Sequence, residues 1–390
     1  MPVIDVDSHY YEPFSWLADT DAALAAELPD IDKVTLVITT AFGEVLSTLP
    51  PELKPDPLSR IPKELMGGAT ELTPELIERG EMLLEWWLTT VAGAHKPEDR
   101  IKFCDEQGID QQFVLPTFAF NPISLVRREM PDKTPRILSA YNTWTCNNLA
   151  GHTDRLIPAG VVDLKTMTRA EIEAEFAKLR AGGSRVVLFW PAPVEGKSIA
   201  HPDYEWFWAG AADHGLMPMV HVGAGRPNVD LGWLNNGREF PSSLVGYFAQ
   251  LHQIPELVLS ELVASGMFDR YPNLRVIVSE LGVDWLPTFM RRLDALAKAG
   301  KADNAWAYDL LPSAYMRRQV RVSPLEFDPI GRVIEEGGEG IVVFASDYPH
   351  PEGGQNAVAT QIAKLGDKVS ADARDGFLGG TIAKDLALTA

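Results

Sequence analysis

Asp7 and His9 stand two apart in the run Ile4-Asp5-Val6-Asp7-Ser8-His9. Side chains two apart on a strand share a face, so a carboxylate and an imidazole are offered together. Farther along, His221 closes one valine- and methionine-containing run, Glu280 follows another, and Asp347 follows a third with His350 shortly behind it. A histidine or carboxylate at the same end of four strands is the convergence a metal centre requires. Asp7, Glu280 and Asp347 would supply hard oxygen donors, and His9 and His221 nitrogen. The two cysteines, Cys104 and Cys146, build no thiolate set. Carboxylates with two imidazoles suit a divalent manganese or iron ion at least as well as zinc. With Glu12 as a sixth donor, two ions ~3.5–4 Å apart could be held; one ion or two is left open.

Eight short apolar runs would have to carry these residues: Val3–Asp7, Gln111–Leu115, Leu156–Val162, Ser184–Phe189, Leu216–His221, Leu274–Ser279, Gln319–Ser323 and Gly340–Ser346. They are near-continuous rather than alternating, as parallel strands buried on both faces are. Helix-length segments separate them. Thr168 and Glu171 form a capping-box pair, and Ile172, Phe176 and Leu179 follow as one apolar stripe ended by Gly182-Gly183. Trp206 to Asp213 reads as the next helix. Eight strands alternating with helices predict an α/β fold, a distorted (β/α)8 TIM barrel; a doubly wound open sheet is the alternative. Chemistry in such a barrel sits at the carboxyl ends of the strands.

The chain has 390 residues, and a barrel of this kind takes about 250. The surplus falls into a long insertion after strand one (10–110) and a long loop after strand five. The whole chain therefore reads as one barrel with insertions. The first insertion contains a helix rich in Leu83, Leu84, Trp86, Trp87 and Leu88, suited to cover the mouth as a lid. Arg226, in the second, is a candidate to clamp a substrate carboxylate; an ordinary solvated charge is the plainer reading. Trp190, Trp285 and Tyr348 near predicted mouth loops are candidate pocket residues, with core packing as the alternative. Asp5 points opposite Asp7 and reads as structural. Asp7 and Glu280, each taken alone, could be strand-end caps for the following helices.

Acidic residues number 54 against 35 basic ones, a net charge of −19, which argues against nucleic-acid binding and against an anionic membrane surface. There is no stretch of ~18 apolar residues for a membrane span. The first residues lack the basic and apolar regions of a signal peptide, so a cytoplasmic protein acting on a small molecule is expected.

The chain resembles the amidohydrolase superfamily, in its amidohydrolase-2 branch related to aminocarboxymuconate semialdehyde decarboxylase. The resemblance rests on Ile4-Asp5-Val6-Asp7-Ser8-His9 with Glu12-Pro13, and on Met219-Val220-His221. It continues through Arg270-Tyr271-Pro272-Asn273-Leu274 to Glu280-Leu281-Gly282 and Trp285-Leu286-Pro287, and ends in Ala345-Ser346-Asp347-Tyr348-Pro349-His350. It implies a distorted barrel holding one divalent metal, sometimes two, and pairing into a homodimer. By position, His9 and His221 match family ligands, Asp7 stands where many members have histidine and some an acidic residue, and Asp347 matches the aspartate that binds metal and handles the proton of bound water. Glu280 departs: the decarboxylases carry a histidine there as acid or base.

Three functions follow as expectations. The first is a metal-dependent hydrolase acting on an ester, thioester, amide or lactone carbonyl of a hydrophobic carboxylic acid. In it Asp347 carries the proton, Glu280 positions the water or a second ion, and His350 helps polarise the carbonyl. The alternative is a metal-dependent nonhydrolytic decarboxylase of an aromatic or unsaturated acid, with His350 or Glu280 as the acid. A noncatalytic ligand-binding barrel is the third.

Overall fold

The computed structural model describes residues 2–28, 91, 93–223, 249–301, 306–350 and 356–388. The predicted lid helix, Arg226 and most of both insertions lie outside the described residues.

Seven of the apolar runs form strands: β1 (Ile4–His9), β2 (Gln111–Leu115), β3 (Leu156–Val162), β4 (Val186–Phe189), β5 (Met217–His221), β6 (Val276–Ser279) and β7 (Val320–Val322). They pair in sequence order, and every pair is parallel. Parallel neighbours require a crossover between them, which the intervening helices supply. Every residue of β3 and β6 is buried, which explains why the runs do not alternate. β4 and β5 start later than expected because the residues ahead of them finish helices: Ser184 N donates to Leu179 O (2.9 Å) and Leu216 N to Ala211 O (2.8 Å).

The helix Arg169–Ala181 begins on the predicted capping box, with Glu171 N donating to Thr168 Oγ1 (3.3 Å) and Thr168 N to Glu171 Oε2 (2.7 Å). Its stripe Ile172, Phe176 and Leu179 is fully buried. Gly160 of β3 makes room for it: a Cβ there would come within 2.2 Å of a Leu179 methyl. The next helix is Glu205–Asp213.

The eighth run is not a regular strand, yet it closes the ring. On one side Val322 N donates to Ile341 O (2.9 Å) and Val343 N to Val322 O (3.0 Å). On the other, Val6 N donates to Phe344 O (3.2 Å), Asp347 N to Asp7 O (2.8 Å) and His9 N to Tyr348 O (2.7 Å). Its ladder is broken because Phe344 N turns out to Phe377 O (2.9 Å) and because Asp347 takes a left-handed backbone (φ 53°). The fold is a distorted (β/α)8 barrel.

At the opposite, amino end, the helix Thr381–Leu388 is latched by a buried ion cluster. Asp385 accepts from Arg275 Nε (2.7 Å) and Arg321 Nε (2.6 Å), tying that helix to β6 and β7. Among the described residues, no helix is long and apolar enough to cross a membrane.

Candidate metal centre

β1 delivers Asp7 and His9, β5 ends on His221, Glu280 stands just beyond β6, and Asp347 just beyond the eighth run. Two overlapping groups result: Asp7, His9, His221 and Glu280; and His9, Glu280, Asp347 and His350. Within each group, one ligand atom per residue lies within 4.8 Å of the others. His9 Nε2 is 3.0 Å from Asp7 Oδ1 and 3.5 Å from Asp347 Oδ1. His221 Nε2 is 3.5 Å from Asp7 Oδ1 and 3.2 Å from Glu280 Oε2.

The neighbours of these groups fix their aim. His9 Nδ1 faces Pro116 O (3.0 Å) and His221 Nδ1 faces Val222 O (2.8 Å). A carbonyl only accepts, so each Nδ1 carries a hydrogen and each Nε2 is the ring nitrogen turned to the centre, able to bind a metal once unprotonated. Asp7 Oδ2 is taken by the Ser279 hydroxyl (2.5 Å), itself bonded to Ser323 (2.6 Å), leaving Oδ1 inward. Asp7 Oδ1, His9 Nε2 and His221 Nε2 are buried and have no hydrogen-bond partner. Buried polar atoms without partners are costly, and three converging on one point fit a shared cation. The residues present therefore fit a divalent metal ion.

The electrostatics agree. Burial, then the neighbouring His350, pushes His9 down to about 3. Burial also pushes His221 down, but the Asp7 and Glu280 carboxylates outweigh it and raise His221 to about 9. Asp7 is held below the usual carboxylate range by both imidazoles, against the opposing effect of burial. The carboxylates thus favour positive charge at His221, while burial and the neighbouring imidazoles disfavour it on His9.

His350 sits beside the set. Its Nδ1 lies 2.8 Å from Asp347 Oδ1, its Nε2 lies 3.0 Å from Thr117 Oγ1, and its ring stacks on that of His9 at 4.1 Å. A cavity of about 100 Å³ opens beside Asp7, Glu280 and Asp347, under the loop 324–327. A larger open groove of about 790 Å³ lies at the amino ends of the strands, around Ile4, Gln111 and Arg155. That groove contains none of the converging donors, so the smaller cavity is the one that bears on chemistry.

Several expected residues do something else. Glu12 is corrected as a metal donor: its carboxylate accepts from the amides of Thr117 (3.2 Å), Phe118 (2.8 Å) and Ala119 (3.2 Å) and belongs to neither donor group. Burial pushes it up to about 7 despite those donors. Tyr348 is corrected as a pocket residue. Asp347 turns inward, so Tyr348 turns outward, stacked on Phe103 (3.7 Å) with the Arg100 guanidinium 4.8 Å from its ring. Trp285 is likewise structural: it is buried, its Nε1 donates to Gly282 O (2.7 Å), and its edge meets Phe289. Trp190, just past β4, packs on Phe120 (5.4 Å) beneath the Arg127 guanidinium (4.7 Å). Phe120 in turn lies beside Gly223, two residues beyond His221. Asp5 faces away from the centre and accepts from Ser346 N (2.9 Å), Ser346 Oγ (2.5 Å) and Gln112 Nε2 (2.8 Å).

Sequence reasoning missed two residues. Arg100 is fully buried and donates from Nη2 to His9 O (2.6 Å), holding the end of β1; nothing in its local sequence marks it. Thr117 was findable, because it stands just past the carboxyl end of β2, where the barrel rule directs attention.

No curated protein sequence matches this chain. Among solved structures, an amidohydrolase from Mycobacterium avium subsp. paratuberculosis K-10 is similar, with 22% identity, a TM-score of 0.69 and 99% of each chain covered. The 5-carboxyvanillate decarboxylase LigW from Sphingomonas paucimobilis is similar at 15% identity and a TM-score of 0.60, again covering 99% of each chain. LigW2 from Novosphingobium aromaticivorans, a 5-carboxyvanillate decarboxylase with bound manganese, is similar at 17% identity and a TM-score of 0.61, covering 99% of this chain and 97% of that one. The family described as Amidohydrolase matches residues 4–386, nearly the whole length, and this chain belongs to that family.

Proposed function

We propose that this protein is a metal-dependent, nonhydrolytic decarboxylase of an aromatic or unsaturated carboxylic acid. One observation carries the reading. The strand-six position where related decarboxylases have a histidine is Glu280, and His350 brings an imidazole to the same centre from another element, 2.8 Å from Asp347 and stacked on His9. The names of the similar structures, two of them 5-carboxyvanillate decarboxylases, support the same reaction class.

A divalent ion bound by Asp7, His9, His221, Glu280 and Asp347 supplies Lewis acidity and an anchor for an anionic substrate. Manganese suits three carboxylates with two imidazoles, and LigW2 holds it. The chain's residues do the rest. Ser279, Pro116 O and Val222 O hold the donors in register. The His350–Asp347 pair carries the proton. As the carbon–carboxylate bond breaks, its electron pair stays on the ring or alkene carbon and takes that proton, while carbon dioxide leaves. Solvent then reprotonates the pair.

Hydrolysis is the second reading, favoured by Glu280 itself, a carboxylate placed to orient water. The two separate in labelled solvent. Manganese-loaded protein is incubated with 5-carboxyvanillate, 2,6-dihydroxybenzoate and related acids, and with esters and lactones of such acids, in D2O and in H2¹⁸O. Decarboxylation gives one carbon dioxide per product, with deuterium at the vacated carbon and no ¹⁸O in the organic product. Incorporation of ¹⁸O into the organic product overturns the proposal in favour of hydrolysis.

A further inference from the structure

The segment that follows β2 touches the candidate centre twice. Pro116 O sets the tautomer of His9, and the next residue, Thr117, places its hydroxyl 3.0 Å from His350 Nε2. These two imidazoles are the ones that stack at 4.1 Å. The segment has little freedom of its own, since the buried carboxylate of Glu12 accepts three consecutive amides, from Thr117 to Ala119. Tyr11 completes the cage: its ring stacks on Phe118 (4.8 Å) and toward His350 (6.1 Å), and its hydroxyl donates to Pro349 O (3.1 Å).

We propose that Thr117 and Glu12 are positioning residues for His350. Thr117 fixes which way the imidazole faces Asp347, and Glu12 fixes where Thr117 stands. This rests on the reading of His350 as the acid that serves the leaving carbon. An imidazole free to rotate about its χ2 would present either Nδ1 or the Cδ2–H edge to Asp347, and only the first orientation sets Nε2 toward Thr117. A hydroxyl can donate or accept, so it tolerates either protonation state of the ring while still fixing its plane. Glu12 is a costly way to hold a loop, because a buried carboxylate needs every bond it makes. That cost is understandable if the loop it holds must be placed to a fraction of an ångström.

Thr117→Val keeps the side-chain shape and removes the hydroxyl, Thr117→Ser restores it, and Glu12→Gln weakens the amide clamp. Each is made in the full chain, loaded with diamagnetic zinc, and read by ¹⁵N-histidine NMR, with His350→Gln identifying the His350 signals. Metal content and melting temperature are measured alongside. The expected result is a displaced or broadened His350 Nε2 signal in Thr117→Val and Glu12→Gln, wild-type signals in Thr117→Ser, and unchanged metal content throughout. In the manganese enzyme kcat falls about 10- to 100-fold in Thr117→Val with little change in KM, and Thr117→Ser recovers it. Wild-type His350 signals in Thr117→Val overturn the proposal. Loss of metal in Glu12→Gln also overturns it, since Glu12 would then be serving the ion. Displaced His350 signals in a protein that decarboxylates none of the acids support the positioning and refute the decarboxylase reading separately.

Discussion

Glu280 and Asp347 adopt left-handed backbone conformations, with φ of 57° and 53°. Only one other described non-glycine residue does so, Glu195. Such conformations cost ~1–3 kcal/mol each and persist where the surroundings demand them. Here they turn two carboxylates into the centre. Asparagine tolerates this conformation well, so Asp347→Asn should keep the fold and melting temperature while losing a charged donor. Turnover should fall about 100-fold or more, with weaker manganese binding by titration calorimetry. The pH dependence of metal uptake follows from His221. Its pKa is raised to about 9, so near pH 7 it carries a proton that metal binding must expel. His9, pushed down to about 3, adds none in that range. Affinity should therefore rise with pH and level off above about 9, and calorimetry in buffers of different ionisation enthalpy should show about one proton released. At this scale the sequence indicated which side chains would meet where they stand at regular strand ends: Asp7, His9 and His221 do converge. It failed at Tyr348 and Glu12, whose directions depend on an irregular run and on a loop contact far away in sequence.

The secondary-structure elements were legible for a simpler reason. Runs covered on both faces and helices with one apolar stripe carry strong patterns, and seven of eight runs became strands. The eighth departs because its backbone bonds are shared between β7, β1 and Phe377, a long-range arrangement no local pattern encodes. Close approaches between elements are equally invisible beforehand. Gly160 lets the helix Arg169–Ala181 lie directly on β3. Gly160→Val should force the two apart and cost ~1–3 kcal/mol, read as a lower urea midpoint with an unchanged m-value.

Across the whole molecule, the amino end of the barrel is held by charge and the carboxyl end is given to chemistry. Asp385 neutralises two arginines whose side chains are 5–6% exposed. Asp385→Ala would leave both guanidiniums buried without an anion, at a cost of ~3–5 kcal/mol in denaturant unfolding. The candidate metal donors, at the other end of the barrel, should retain their affinity in whatever fraction stays folded. The closing run has a further consequence for biosynthesis. Asp7 and Asp347 sit side by side although 340 positions separate them, and Asp347 N donates to Asp7 O. A nascent chain on the ribosome carries Asp7 and His9 for some 340 residues of synthesis before it gains Asp347 and His350. Until then β1 lacks its second neighbour and the donor set lacks a side. Loading of the ion should follow emergence of that segment, and the early strands must wait, partly unpartnered, for the residues that complete them.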